Sequence, residues 1–248
     1  VLAERVTDVP SDNLNLLYTP LCGTGNKPVR TVLGRIGVHV DVVKAQEQPD
    51  GDFKTCEYPN PETDAALNES YKIARSTHPD LILGTDPDSD RVGVMVRGAD
   101  GEYHTITGNQ MGVLLLDFVC RMRRANGTMP ERPVAVKTIV TTPMAEKVAA
   151  HYGVELRNVL TGFKYIGEQI GLLEKDGEAD RYIFGFEESY GYLSGSFVRD
   201  KDAVNASLLI CEMFVWYKSQ GKTLADALEA LYAQYGFFEA KLLSFTFE

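Results

Sequence analysis

The 248 residues give room for one large domain or two modest ones with a sizeable core. A hydrophobic fraction of 44% and a charged fraction of 24% exclude a disordered or collagen-like chain. With 25 Lys and Arg against 35 Asp and Glu, the net charge of −10 argues against a nucleic-acid partner, because non-specific binding depends on basic charge meeting phosphates.

Short apolar runs alternate with segments of helical period, which predicts βαβ units. Asn13–Tyr18 reads as a strand, followed by the turn-rich Thr19-Pro20-Leu21-Cys22-Gly23-Thr24-Gly25. A helix with Pro28 in its first turn and Val29, Val32, Leu33 and Ile36 on one face comes next, then a strand over Val38–Val43. A loop dense in Pro, Gly, Asp and Asn (Gln48 to Pro61) precedes a helix through Leu67, Tyr71 and Ala74, which Pro79 forces to break. Asp80–Gly84 and Val92–Val96 read as strands, the second closed by a turn over Gly98–Gly101.

The pattern then starts again, which places a domain boundary near residue 104. Asn109–Arg124 is a predicted helix, Val134–Lys137 a strand and Pro143–Tyr152 a helix. Val154–Asn158 is a strand, Lys164–Lys175 a helix and Tyr182–Gly185 a strand. Helices over Asp202–Tyr217 and Leu224–Tyr235 follow, and Lys241–Phe247 alternates like a strand. The fold class expected is α/β: two successive three-layer α/β domains with mixed, mostly parallel sheets, over residues 1–104 and 105–248. Each half is expected to bury its own core.

Cys22, Cys56, Cys120 and Cys211 form no CxxC pair and sit near no histidine at metal-ligand spacing, which argues against zinc and against a disulfide framework. His39, His78, His104 and His151 are equally scattered. No apolar run approaches the ~20 residues that span a bilayer, so no membrane partner is expected. The compartment expected is reducing and cytoplasmic. The chain opens on Val1-Leu2-Ala3 with no initiator Met and no signal peptide, so an excised piece of a longer protein is expected.

The most informative stretch is Gly84-Thr85-Asp86-Pro87-Asp88-Ser89-Asp90-Arg91. Carboxylates at i, i+2 and i+4 in an extended or turning backbone point to one side. Held that close they repel one another and take up protons unless a cation sits among them. A hard, oxygen-seeking cation such as Mg²⁺ or Ca²⁺ suits the donors, and a solvated acidic turn is the alternative. An EF-hand loop starting at Asp86 needs Gly and Glu where Arg91 and Arg97 stand, so that reading fails. A dehalogenase-type phosphatase with Asp86 as nucleophile usually carries Thr or Val four residues on, where this chain has Asp90; the reading stays open in weakened form.

Five stretches in order then carry a resemblance. They are Tyr18–Gly25, Asp86–Arg91, Thr161-Gly162-Phe163-Lys164, Gly185-Phe186-Glu187-Glu188-Ser189-Tyr190-Gly191 and Arg199-Asp200-Lys201-Asp202. Together the sequence resembles the α-D-phosphohexomutase family, phosphoglucomutases and phosphomannomutases. The resemblance implies that Asp86, Asp88 and Asp90 are protein ligands for Mg²⁺ and that Arg91 helps hold phosphate beside it. Glu187 and Ser189 match residues that hydrogen-bond sugar hydroxyls, and a carboxylate and a hydroxyl two residues apart suit a vicinal diol. Lys164 and Lys201 match lysines facing the cleft, where ammonium groups meet a substrate phosphate. Glu188 reads as structural or exposed. Gly23-Thr24-Gly25 before a helix reads equally as an anion site or as a plain tight turn.

The family's members have four domains, and a serine in a T-x-S-H-N-P-type motif of the first carries the phosphoryl group. That motif does not occur here, nor does the fourth domain's Gly-, Ser- and Thr-rich phosphate loop. The resemblance thus implies domains two and three alone, partnered by the first and fourth domains of the same protein and by a hexose phosphate. The parent activity implied is a Mg²⁺-dependent interconversion of hexose 1-phosphate and hexose 6-phosphate, with these residues inactive by themselves. A phosphatase using Asp86, or a non-catalytic sugar-phosphate-binding module, are the other readings.

Overall fold

The computed structural model describes residues 1–98 and 100–240. The strand expected over Lys241–Phe247 lies outside the described residues.

The first sheet is built around β1 (Asn15–Thr19), whose residues from Leu16 to Thr19 are all buried, as a central parallel strand covered on both faces requires. Next, α1 (Asn26–Arg35) turns Val29 and Leu33, one helical turn apart, into the core. It leads to the edge strand β2 (His39–Val42). Then α2 (Asn68–Thr77) stops at His78, whose left-handed φ of 50° ends the helix just before Pro79. The wholly buried β3 (Leu81–Thr85) follows, then β4 (Val92–Arg97) and β5 (Tyr103–Ile106). The order is β2-β1-β3-β4-β5, parallel through β3 and antiparallel beyond it.

A second helix–sheet unit begins with α3 (Gly108–Ala125), whose start is fixed by a capping box between Thr107 and Gln110. It continues through β6 (Val134–Thr138), α4 (Met144–Tyr152), β7 (Glu155–Val159), α5 (Phe163–Lys175), β8 (Tyr182–Glu187) and β9 (Gly191–Leu193). The order is β7-β6-β8-β9, with β6 parallel to both neighbours and β9 antiparallel to β8. Two helices close the described chain, α6 (Ala203–Ser219) and α7 (Leu224–Tyr235).

The two sheets share one plan. A central strand (β1 or β6) leads through a helix to an edge strand. A third strand (β3 or β8) then pairs on the other side of the centre and turns back antiparallel. In such sheets ligands settle outside the carboxyl ends of the strands where the order reverses. Both sequence-singled loops, Asp86–Arg91 and Glu188–Tyr190, occupy the same position in this plan: the turn after the third strand.

Two strands went unpredicted. β9 is three residues long and β5 four, and neither carries an alternation long enough to be read. The expectation of separate cores is corrected. Val29 and Leu33 of α1 share one buried cluster with Leu209, Ile210 and Met213 of α6 and with Phe184 and Phe186 of β8. Each such side chain contributes about 1.5–3 kcal/mol by leaving water, so this shared core fixes one sheet relative to the other.

Candidate functional site

The acidic loop leaves β3 at Thr85 and re-enters the sheet at Val92. Its shape is set by Asp86, whose Oδ1 accepts the backbone N–H groups of Asp90 (3.0 Å) and Arg91 (2.9 Å). Ser89, at a left-handed φ of 62°, makes the turn, and its N–H donates to the Asp86 carbonyl at 3.0 Å. One carboxylate oxygen from each of Asp86, Asp88 and Asp90 lies within 4.8 Å of the others. Asp86 is buried, Asp90 half-buried and Asp88 exposed. Burial first, and then the neighbouring carboxylates of Asp90 and Asp88, push the Asp86 carboxyl up to about 7 against the opposing Arg91 N–H. Three oxygen donors, one of them desolvated and crowded by like charge, fit a hard divalent cation.

The loop is cradled by the turn after β1. Thr24 donates to the Pro87 carbonyl, and Gly23 packs so closely that a Cβ there would stand 2.3 Å from Pro87 Cα. Tyr18 hydroxyl and Thr85 Oγ1 hydrogen-bond at 2.8 Å beneath it, beside the buried Ser89 hydroxyl. Of the two readings of Gly23-Thr24-Gly25, the turn is what forms: the Thr24 N–H faces the acidic loop instead of a free anion.

The loop Glu188–Tyr190 occupies the matching turn of the second sheet. Glu187 ends β8 and is buried, which raises its carboxyl above the usual carboxylate range against the pull of the Lys201 ammonium and the Ser189 hydroxyl. Ser189 is half-buried, and Tyr190 turns the chain at a φ of 64°. Glu188 points the other way, where its Oε2 accepts from the hydroxyls of Thr138 and Thr141, both at 3.0 Å. It thereby ties the loop after β8 to the end of β6.

Backbone bonds join the two loops. Arg91 and Gly191 form an antiparallel bridge, Val92 N–H donates to the Tyr190 carbonyl at 3.1 Å, and Ala203 N–H donates to the Ser89 carbonyl at 3.1 Å. Lys201 completes the contact, its Nζ 2.8 Å from Asp90 Oδ2 and 3.9 Å from Glu187 Oε1. The structure therefore brings together Asp86, Asp88, Asp90, Arg91, Glu187, Ser189 and Lys201. Arg91 is turned toward Glu62 at 3.1 Å, and its Nε is 3.9 Å from both Asp86 and Asp90. Lys164 shares no hydrogen bond with them among the described residues. It is exposed in the first turn of α5, over the Tyr165 ring at 5.0 Å, with no ion pair among the described residues.

Sequence reasoning missed the Glu62 partner of Arg91 and the anchoring role of Thr138 and Thr141; Glu188, read as structural or exposed, is structural. Glu62 lies in a stretch that reads as plain loop. The threonines carry a weak signal, since Thr138–Pro143 holds the same place after β6 that Thr19–Gly25 holds after β1.

Residues 2–101 match phosphoglucomutase/phosphomannomutase, alpha/beta/alpha domain II, and residues 107–235 match alpha/beta/alpha domain III of the same family. The chain belongs to the phosphoglucomutase/phosphomannomutase family. It is 37% identical over 246 residues to a phosphoglucomutase of Staphylococcus epidermidis, a match covering 99% of this chain and 44% of that protein. The chain thus spans less than half the length of that relative. A Thermus thermophilus structure described as a phosphomannomutase shares the fold at a TM-score of 0.73 and 23% identity, covering 94% of this chain and 48% of that one. So does the N-acetylphosphoglucosamine mutase of Aspergillus fumigatus, solved with GlcNAc-6P and magnesium (TM-score 0.59, 13% identity, 91% and 49% covered). No helix among the described residues is long and apolar enough to cross a membrane.

Proposed function

We propose that these residues supply the metal loop and the sugar loop of a cytoplasmic phosphohexomutase that interconverts hexose 1-phosphate and hexose 6-phosphate. The metal loop belongs to a domain over residues 1–104 and the sugar loop to a domain from 105 onward. The observation that carries the reading is the direct contact of the two loops: Arg91 bridged to Gly191, with Lys201 between Asp90 and Glu187. A phosphoryl group delivered at the acidic loop would lie beside the groups that hold the sugar receiving it. Such placement of reacting groups can be worth about 7–11 kcal/mol.

Asp86, Asp88 and Asp90 would hold Mg²⁺, whose charge neutralises a transferring phosphoryl group. Glu187 and Ser189 would bind two adjacent ring hydroxyls. Arg91, Lys164 and Lys201 would meet substrate phosphate, with Arg91 exchanging Glu62 for it. The phosphoryl carrier would be a phosphoserine from outside these residues, and a bisphosphate intermediate would return its other phosphate to that serine. Against a phosphatase reading stands the Asp86 environment. Its Oδ1 is occupied by two N–H groups, and burial favours its protonated form, both of which weaken a carboxylate nucleophile.

The test is a coupled assay with glucose 1-phosphate, a trace of the 1,6-bisphosphate and Mg²⁺, read by glucose 6-phosphate formation. These 248 residues alone are expected to give no turnover, and the whole polypeptide carrying them is expected to be active. Loss of either Glu187 or Ser189 to Ala should lower kcat/KM there by about 1–3 kcal/mol of transition-state binding. Turnover by the 248 residues alone that vanishes in Asp86→Asn would replace this reading with the phosphatase one.

A further inference from the structure

Lys201 is placed with more care than a surface ion pair needs. Its side chain is 12% exposed, and its ammonium sits 2.8 Å from Asp90 Oδ2, 3.4 Å from Asp200 Oδ1 and 3.9 Å from Glu187 Oε1. A Cβ on Gly191 would lie 2.5 Å from Lys201 Cδ, so the aliphatic stem fills the space that this glycine leaves. On its other side the ammonium stands 5.9 Å from the Phe163 ring centroid. The backbone is held as firmly. Asp202 caps α6 by accepting from Val204 and Asn205 N–H, and the next residue, Ala203, donates its N–H to the carbonyl of Ser89 inside the acidic loop. The lysine is thus delivered from one sheet's helix to a carboxylate in the other sheet's loop.

We infer that Lys201 is the built-in counter-ion of the acidic loop, which a divalent cation displaces from Asp90, so that metal binding frees the ammonium toward the sugar loop. The inference rests on the proposed metal role of the acidic loop and deepens it. Asp86, Asp88 and Asp90 bring three carboxylates within 4.8 Å of one another, and among the described residues Lys201 and Arg91 are the cations that face them. Arg91 stands 3.9 Å off and is engaged by Glu62, so the close cation is Lys201. An ammonium and a divalent cation that share one carboxylate repel each other, and the more highly charged cation wins it. The freed ammonium keeps Asp200 at 3.4 Å and Glu187 at 3.9 Å as partners and is then poised for a substrate phosphate. Metal and anionic substrate would favour one another by that exchange, a coupling that is necessarily reciprocal.

The test uses these 248 residues and Mg²⁺ alone, by calorimetric titration at fixed ionic strength. Lys201→Met keeps the stem that packs on Gly191 and removes the charge, and it should tighten Mg²⁺ binding about three- to tenfold. Lys201→Arg, which keeps the charge, should bind as the wild type does. A second measurement needs no substitution: acylation of the Lys201 amine, followed by peptide mass spectrometry, should speed up about threefold or more at saturating Mg²⁺ as the ion pair opens. Equal or weaker Mg²⁺ binding by Lys201→Met, or an acylation rate indifferent to Mg²⁺, overturns the counter-ion role and leaves the metal site standing. Absence of Mg²⁺ binding in every variant overturns the metal role of the loop itself, and this inference with it.

Discussion

Thr24 gives Pro87 both of its hydrogen-bond donors, its backbone N–H at 2.8 Å and its hydroxyl at 3.0 Å from the one carbonyl oxygen. The turn after the central strand of the first sheet is therefore a mould for the acidic loop, with Gly23 as its point of closest approach. A methyl group at Gly23 would stand 2.3 Å from Pro87 Cα and 2.5 Å from its carbonyl oxygen, both backbone atoms that cannot swing aside.

Gly23→Ala should thus lift the acidic loop away from its cradle. Overpacking of this kind costs about 1–3 kcal/mol, and the displaced Pro87 would pull Asp86 and Asp88 apart. Urea unfolding should show the loss of stability, and calorimetry a weaker Mg²⁺ affinity. A variant with both properties unchanged would mean that the mould is dispensable.

Glu188 provides a matching test in the loop after β8. Glu188→Ala leaves the hydroxyls of Thr138 and Thr141 without the carboxylate they share, which should cost about 1–3 kcal/mol. Glu188→Gln keeps an acceptor oxygen and should recover most of that loss in the same urea experiment. Equal destabilisation by both substitutions would assign the effect to charge instead of to the hydroxyl acceptors.

Much of this architecture was legible in the letters, for physical reasons. β3 and the first three residues of β6 are continuous apolar runs because both faces of each strand are covered, and α1 shows its buried side through Val29 and Leu33 at one-turn spacing. The acidic triad was legible because its spacing of two is itself chemical information. What the letters could not carry were relations between distant segments. Nothing near Arg91 in sequence names Glu62 as its partner, and nothing near Asp90 names Lys201, more than a hundred residues on. Lys164 shows another limit: its motif implies a place in the cleft, and the contact its ammonium makes is with the neighbouring Tyr165 ring.

Because Lys164 is exposed and unpaired among the described residues, Lys164→Ala should change stability by no more than about 0.5 kcal/mol. In the whole polypeptide it should raise KM for the sugar phosphate if the ammonium reaches substrate. An unchanged KM would remove Lys164 from the substrate-binding set.

The buried carboxyl of Asp86 sets stability against the proposed metal role. Burial, with Asp90 and Asp88 beside it, raises its folded-state pKa to about 7, well above the 3.8 of an ordinary Asp. A folded-state pKa raised above the unfolded one means that the folded chain holds the proton more tightly. The stabilisation from that proton is complete below the unfolded value and is lost as pH climbs through about 7. Above that pH the metal-free protein carries an ionised carboxylate against two like charges. Asp86→Asn removes the charge while its amide oxygen can still accept from Asp90 and Arg91 N–H, so the loop keeps its shape. Without metal, the variant should therefore be more stable than wild type at about pH 8, on the order of 2 kcal/mol, and the difference should vanish near about pH 4. Added Mg²⁺ should reverse the ranking at the higher pH, since it stabilises only the protein that binds it. Urea midpoints at the two pH values, with and without Mg²⁺, provide the measurement. Parallel pH profiles for wild type and Asp86→Asn would show that Asp86 is not the strained carboxylate described here.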